Sequence, residues 1–223
     1  MIGAFLNALG ILLGALLGLT GRGRWPARRQ GRIKSALGAF TAFCGLQLVW
    51  LNVSGSFRSV LKQFFLAVLA VLLGNLLGKI LGLQKISNRL GRHATKLLAA
   101  GEASPARPAN GLIAATILFC AAPLGLLGAV TDGLAMTSFV KMFRWPVALA
   151  ALPVFFFFNV LTLTVHAFAQ PWLEAHNLIH AVNAAAGLVI CATALVVLEV
   201  RRVELANYLP ALVVAPFLTW LLT

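Results

Sequence analysis

The sequence predicts an all-α membrane protein, a polytopic bundle of about seven transmembrane helices that forms a single domain over residues 1–223. Three observations support this fold class. Composition comes first: 61% of the residues are hydrophobic and only 10% are charged, which leaves too little polar surface for a water-exposed globule. The chain also contains a series of apolar runs of about the length that crosses a bilayer. Finally, basic residues concentrate in alternate loops, as in inner-membrane proteins.

The apolar runs define the predicted spans in chain order. They cover roughly residues 2–20, 36–52, 63–83, 110–130, 147–168, 179–199 and 205–222. Residues 134–146 are too short and too basic to cross a bilayer and are expected at the interface or as a re-entrant segment. An extra crossing near 120–146, which would give eight spans, is the alternative.

The basic residues predict the orientation. The first loop holds Arg22, Arg24, Arg28, Arg29, Arg32 and Lys34, and the third holds or adjoins Lys79, Lys85, Arg89, Arg92, Lys96 and Arg107. The loop between them has only Arg58 and Lys62. This pattern places loops one and three in the cytoplasm and the N-terminus outside a bacterial inner membrane. Topology thus accounts for the net charge of +13 without a nucleic-acid partner, although anionic lipid or phosphate contacts remain alternatives.

An internal repeat relates spans 1–2 to spans 3–4. Residues 5–39 and 65–99 share fourteen identities at an offset of 60, seven of which are not leucine. The match resumes after an insertion, where Phe43-Cys44 aligns with Phe119-Cys120. We therefore expect two parallel copies of a two-helix unit, 1–53 and 61–133, followed by a three-span part, 147–223.

Glycines at every fourth position predict close helix packing. They are Gly10, Gly14 and Gly18 in the first span, and Gly74, Gly78 and Gly82 in the third. Such faces let helix backbones approach each other in lipid. We expect spans 1 and 3 to pack together through them, and a homodimer through one of the faces is the alternative.

Two groups of polar or helix-breaking residues are candidates for a solute or ion path. In the fourth span Pro123 and Gly125 interrupt the helix, and Thr131 and Asp132 lie at its end. Interrupted helices supply binding groups in transporters, and a lone carboxylate suits a cation or proton. A simple kink is the alternative.

The second group lies on span 5. Asn159, Thr162 and His166 follow one another at helical spacing on one face. The stripe could line a path. Alternatively, these side chains only form hydrogen bonds between helices.

Catalytic motifs are absent, so we expect no enzymatic activity and no cofactor. His176 and His180, four residues apart, would form a metal pair if they shared a helical face, but a solvated loop is favoured and no metal site is predicted. Cys44, Cys120 and Cys191 each lie within a span and are expected to be free thiols.

Four segments together resemble a known family. They are MIGAFLNALGILLGALLG at the start, FCAAPLGLLGAVTDGL, PVFFFFNVLTLT, and VELANYLPALVVAP near the end. They are similar to the YqgA/YdfK-like family of uncharacterised bacterial inner-membrane proteins, grouped as a domain of unknown function. The chain departs from the family pattern after the Asp132-Gly133 pair, where only Lys141 survives of a longer polar segment. The resemblance implies fold and location, with an unproven suspicion of transport, and brings no known substrate.

We therefore expect a transporter or channel for a small solute or ion of unknown identity. A non-transporting scaffold or regulatory subunit is the alternative. The two are distinguished by whether a polar cavity reaches the middle of the bilayer.

Overall fold

A computed structural model provides the structure of the chain. It describes residues 2–20, 27–100, 145–201 and 203–222, together with positions 112, 113, 115, 116, 136 and 140. Every regular element in these residues is helical, which confirms the all-α fold class. The α-helices are α1 (Ile2–Leu19), α2 (Ala27–Leu51), α3 (Phe57–Ile80), α4 (Leu83–Ala100), α5 (Ala151–Phe168), α6 (Gln170–Ala175), α7 (Ile179–Val197) and α8 (Ala211–Leu222). Short 3₁₀ helices, Trp145–Ala150 and Leu205–Tyr208, lead into α5 and α8.

Four helical stretches in the described residues are long and apolar enough to cross a membrane. They are Phe57–Ile80, Trp145–Phe168, Ile179–Val197 and Leu205–Leu222. The apolar stretches of α1 and α2, Asn7–Leu19 and Gly38–Leu51, are shorter. Each corresponds to a predicted span. The fourth predicted span, 110–130, lies almost wholly outside the described residues, so the count of seven stays a prediction.

The chain divides into two compact units. The first comprises Met1–Arg24 and Ser87–His166, and the second Trp25–Ile86 and Ala167–Thr223. The units do not follow the predicted repeat boundaries, because α1 belongs to the first unit and α2 to the second. The repeat itself stays a prediction, since most of the second copy's second helix is outside the described residues.

The first unit has a core of small and branched side chains. Helix α1 buries one stripe, Ala4, Ala8, Ile11 and Ala15, at the spacing of a helical face. Ile11 packs in one cluster with Met136, with Val147 of the short helix that precedes α5, and with Val154 of α5 itself. Gly14 and Gly18 lie on the same buried face of α1, while Gly10 is half-buried. The glycine face of α1 is therefore largely buried.

The second unit is built on four helices, α2, α3, α7 and α8. Helices α2 and α7 run antiparallel, because Gly38 lies beside Leu198, Gly45 beside Cys191, and Asn52 beside Asn183. Helices α3 and α8 also run antiparallel. In a seven-span chain spans 2 and 6 would run in the same direction, as would spans 3 and 7, so these two antiparallel pairs favour the eight-span alternative over the predicted seven. Three alanines, Ala70, Ala185 and Ala215, meet at the centre of this bundle and are almost fully buried.

Glycines bring the backbones of α2 and α7 into close contact. A Cβ on Gly45 would lie 2.7 Å from Cys191 Sγ and 2.8 Å from the Gly187 carbonyl oxygen. Reciprocally, a Cβ on Gly187 would lie 2.7 Å from the Gly45 carbonyl oxygen. Such distances exclude any side chain at either position, so α2 and α7 need glycine at their crossing. Neither glycine belongs to the predicted packing faces.

The glycine face of α3 contacts a helix other than the predicted one. Gly74 packs directly on the backbone of Ala211, and Gly78 on that of Asn207, at the start of α8. The expectation that this face meets span 1 is therefore wrong. The sequence pattern correctly indicates where α3 approaches another backbone, but G-x-x-x-G spacing carries no information about which helix fills it.

Gly82 has a different role from the one predicted. Helix α3 ends at Ile80, and Gly82 lies in the turn before α4 with a φ of 64°. This left-handed conformation strains residues with a Cβ, whereas glycine adopts it readily. A Cβ there would meet only Lys85 Cδ, at 3.8 Å. Gly82 thus allows the chain to turn, and it does not pack a helix.

Candidate functional site

The first predicted path lies outside the part of the chain that the structure describes. It comprises Pro123, Gly125, Thr131 and Asp132. Its geometry therefore stays a prediction.

The second predicted path lies on α5. Asn159 Nδ2 donates to the Phe155 carbonyl at 2.9 Å, and Thr162 Oγ1 donates to the Phe158 carbonyl at 2.7 Å. Each of these bonds is made to the residue's own helix, four residues earlier. Thr162 and His166 are exposed, and Asn159 is half-buried. The three side chains do share one helix, but the hydrogen bonds of Asn159 and Thr162 satisfy local backbone rather than building a shared site.

A polar cavity lies instead within the second unit, at the end of the bundle where α3 and α7 begin and α2 and α8 end. Its volume is about 360 Å³. Its lining includes six polar side chains, those of Asn52, Lys62, Gln63, His176, His180 and Thr219. They come from five separate segments, so the cavity exists only once the four helices are assembled.

A hydrogen-bonded cluster forms one wall of the cavity. The Asn52 amide donates to the Leu48 carbonyl at 2.9 Å, which fixes its Oδ1 as the acceptor that faces α7. Asn183 Nδ2 donates to that oxygen at 3.1 Å, and His180 Nδ1 lies 3.0 Å from it. Because Asn52 Oδ1 can only accept, His180 must carry its proton on Nδ1. The Nε2 atom of His180 is then left to accept from a ligand when the ring is neutral, or to donate when it is protonated.

A second histidine lies at the mouth of the cavity. His176 Nδ1 lies 2.9 Å from the Trp172 carbonyl oxygen, so this ring too carries its proton on Nδ1. Its ring packs against Trp172 with centroids 5.4 Å apart, and Trp172 in turn packs against Phe217 of α8 at 5.5 Å. The short helix α6 is thereby held against α8, which positions His176.

The opposite wall comes from the first turns of α3. Gln63 Oε1 accepts from the Ser54 backbone N–H at 3.1 Å, and its Nε2 donates to the Ser54 carbonyl at the same distance. Lys62 Nζ donates to the Leu222 carbonyl at 2.9 Å, which caps the carboxyl end of α8. The loop after α2 and the end of α8 are therefore both tied to α3.

The charges around the cavity favour an anion. Among the described residues that line it there is one cation, Lys62, and neither aspartate nor glutamate. The amino ends of α3 and α7 both lie beside it, and no side chain caps the amino end of α7 at Leu178. Helix amino ends carry partial positive charge and present N–H groups to anions.

The cavity reaches well into the bundle and ends on small apolar residues. Along α3 its lining runs from Ser59 to Ala67, so the cavity extends about 12 Å along that helix. Because the predicted third span begins near residue 63, Ala67 lies about 6 Å inside a hydrocarbon core roughly 30 Å thick. Beyond it come the alanine cluster around Ala70 and then the contact of Gly74 and Gly78 with α8. The described structure is therefore open at one end of the bundle and closed by close helix packing at the other.

The histidine pair does not share a helical face, since α6 ends at Ala175 and α7 begins at Ile179. Asn177 between them has a φ of 54°, which separates the two helices by a sharp turn. Among the described residues, no group of three His, Cys, Asp or Glu could hold a metal ion. The loop interpretation of these residues therefore fits better than a metal pair, although both rings line the cavity.

A polar contact closes the other end of the second unit. Asn207, which is only 2% exposed, accepts from the Gln84 backbone N–H at 3.1 Å and donates to Glu204 Oε2 at 2.7 Å. The Gln84 side chain accepts from the Ala206 N–H at 3.3 Å. These bonds fix the start of α4 to the start of α8. They give this end a structural role.

Sequence reasoning did not identify the cavity. Its polar residues lie singly at the ends of separate helices and form no motif. Asn183 lies within the predicted span 179–199, but its partner Asn52 lies 131 positions earlier. A sequence signal for the cavity would have been the presence of amide or imidazole side chains at several span ends predicted to lie on the same side of the membrane.

The comparisons with known proteins agree with the resemblance noted above. The family described as "Protein of unknown function (DUF554)" matches residues 2–220. The chain is 27% identical to "Uncharacterized protein YqgA" of Escherichia coli (strain K12), over 96% of this chain and 94% of that protein. It is 24% identical to "Uncharacterized membrane protein YdfK" of Bacillus subtilis (strain 168), over 97% of this chain and 94% of that protein. No solved structure matches the chain significantly.

Proposed function

Because the chain belongs to the DUF554 family of proteins of unknown function, we propose its activity from its own geometry: it transports a small anionic solute across the membrane. The chain is a membrane protein, since the relative YdfK is named as one and four helical stretches of the described chain are long and apolar enough to cross a bilayer. The bundle of α2, α3, α7 and α8 in the second unit would perform this transport.

The cavity is the observation that carries the proposal. A scaffold or regulatory subunit gains nothing from a cavity lined by polar side chains that enters an apolar bundle from one end, whereas a transporter needs such an entry to a binding site within the bilayer. Alternating access also needs the site to be open on one side and closed on the other. The alanine cluster and the contact of α3 with α8 supply that closure.

The volume and charge of the cavity set the class of solute. A space of about 360 Å³ holds roughly ten waters, and hence a solute of a few heavy atoms. Lys62 and the amino end of α7 supply positive charge and N–H donors, and no carboxylate is among the described residues that line the cavity. This arrangement favours a small anion over a cation.

The predicted orientation gives the direction in which the cavity faces. If the basic loops 21–35 and 84–109 are cytoplasmic, α2 starts inside and ends outside. The cavity, at the end of α2, then opens to the exterior of the bacterial cytoplasmic membrane. With that orientation, the arrangement would be outward-open and the N-terminus would lie outside.

Currents on a solid-supported membrane test the proposal. The full chain is reconstituted into liposomes and challenged with jumps of chloride, nitrate, formate and phosphate. We expect at least one anion to evoke a transient current above that of protein-free liposomes. Lys62→Gln, which removes the charge, should reduce the current several-fold, whereas Lys62→Arg should retain most of it.

Two outcomes would contradict the proposal. The first is the absence of current for all four anions with correctly folded protein, which would favour the non-transporting alternative. The second is a current that Lys62→Gln leaves unchanged, because the solute would then bind elsewhere.

A further inference from the structure

Helix α4 has one cationic face and one apolar face. Lys85, Arg89, Arg92 and Lys96 follow one another at intervals of four, three and four residues, so they form a single stripe. The apolar positions Leu83, Ile86, Leu90 and Leu97 recur at intervals of three, four and seven on another side. The helix contains no acidic residue. This is the pattern of a helix that lies at an interface between water and an apolar phase.

The described side chains agree with that pattern. Ile86 is 53% exposed and Leu90 is 42% exposed, although both are large and apolar. Arg89, Arg92 and Lys96 are exposed as well. The helix thus offers both an uncovered apolar face and an uncovered cationic stripe.

The position of α4 in the chain places it at a membrane surface. Helix α3, a candidate span of 24 residues, ends at Ile80, and α4 begins three residues later, after the turn at Gly82. Four cations along 18 residues exclude α4 itself from crossing, because each costs about 2.5–3.5 kcal/mol at the centre of a bilayer. The bonds from Gln84 to Asn207 and Ala206 also hold the start of α4 at the level where α8 begins.

We propose that α4 lies in the plane of the membrane surface and binds anionic phospholipid headgroups through Lys85, Arg89, Arg92 and Lys96, with Ile86 and Leu90 inserted among the acyl chains. Charge complementarity selects this partner, since bacterial membranes present anionic lipid and the helix is uniformly basic. A nucleic acid would engage the same cations but would leave the apolar face in water. The inference is independent of whether the chain transports anything.

The first test measures the orientation of α4 in the full chain. A fluorescent label is attached at Leu90→Cys or at Asn88→Cys after Cys44, Cys120 and Cys191 are replaced by alanine. The protein is placed in nanodiscs of phosphatidylcholine with phosphatidylglycerol, and the neutral quencher acrylamide is added. We expect the label at position 90 to be quenched several-fold less than the label at position 88. Equal quenching at both positions would overturn the proposal.

The second test measures lipid preference. Mass spectrometry counts the phosphatidylglycerol and phosphatidylcholine retained by detergent-extracted protein. Each cation near an anionic surface contributes a factor of about five, so Arg89→Gln with Arg92→Gln should lower the preference by up to about 25-fold. The matched variant, Arg89→Lys with Arg92→Lys, keeps the charge and should keep the preference.

Two results of the second test would overturn the proposal. An unchanged preference in the glutamine variant would mean that α4 does not bind the lipid. Binding of a DNA duplex at 150 mM salt that the glutamine variant loses, without protection of position 90, would assign the stripe to nucleic acid instead.

Discussion

At the scale of single residues, Asn52 organises the cavity wall. Its amide is fixed by the Leu48 carbonyl, and its oxygen accepts from both His180 and Asn183. One side chain thus sets the tautomer of a histidine and joins α2 to α7. Removing it leaves two donors without a partner, and such groups cost about 1–3 kcal/mol when they are buried.

Asn52→Ala should therefore lower the stability of the protein. Since His180 is exposed and water can replace part of the loss, we expect a loss of about 1–2 kcal/mol, or a decrease of roughly 3–6 °C in the midpoint of thermal unfolding in detergent. Asn159→Ala is the matched control, because its amide bonds only the Phe155 carbonyl of its own helix. Its effect should be less than about 2 °C. Equal effects of the two variants would mean that the cluster around Asn52 contributes no interhelical stability.

Single residues were the least predictable from the sequence. Asn183 was recognisable as a costly polar group within a span, and it does bond across helices. The roles of Asn52, Lys62 and His180 depend on the helices that surround them. No local pattern encodes that α2 would end beside the start of α7.

At the scale of elements, the helices follow from the sequence but their partners do not. Six of the seven predicted spans coincide with described helices, because each contains an apolar run of sufficient length. The glycine face of α3 was located correctly, yet it packs on α8. Helix association in lipid depends on shape, and a small-residue face fits any backbone of suitable geometry.

The crossing of α2 and α7 gives a test on one helix with an internal control. Gly45→Ala would place a Cβ within 3 Å of Cys191 and Gly187, so the helices must move apart. We expect a loss of about 1–3 kcal/mol, seen as a lower midpoint of thermal unfolding in detergent. Gly31→Ala on the same helix meets nothing within 4 Å and should be neutral or stabilising by up to about 1 kcal/mol. If Gly45→Ala is as stable as Gly31→Ala, the two helices do not cross at Gly45.

At the scale of the whole molecule, composition and charge determine the class and location of the protein. The low charged fraction and the length of the apolar runs require a bilayer, and the distribution of basic residues predicts an orientation. The division into two compact units was not predictable, because it separates α1 from α2, which are neighbours in the sequence. The cavity belongs to the second unit alone.

The central claim is that this cavity contains water, opens to the exterior and favours anions. Ala181 lines it and is half-buried, whereas Ala185, one turn further along α7, is fully buried in the alanine cluster. In a background with Cys44, Cys120 and Cys191 replaced by alanine, each position is changed to cysteine. Intact cells are then treated with membrane-impermeant methanethiosulfonates, one anionic (sulfonatoethyl) and one cationic (trimethylammonioethyl).

We predict that Ala181→Cys is modified from outside, several-fold faster by the anionic reagent, and that Lys62→Gln removes this difference. Ala185→Cys should remain unmodified by both reagents. The account is contradicted if Ala181→Cys is not modified in intact cells, or if the cationic reagent reacts faster.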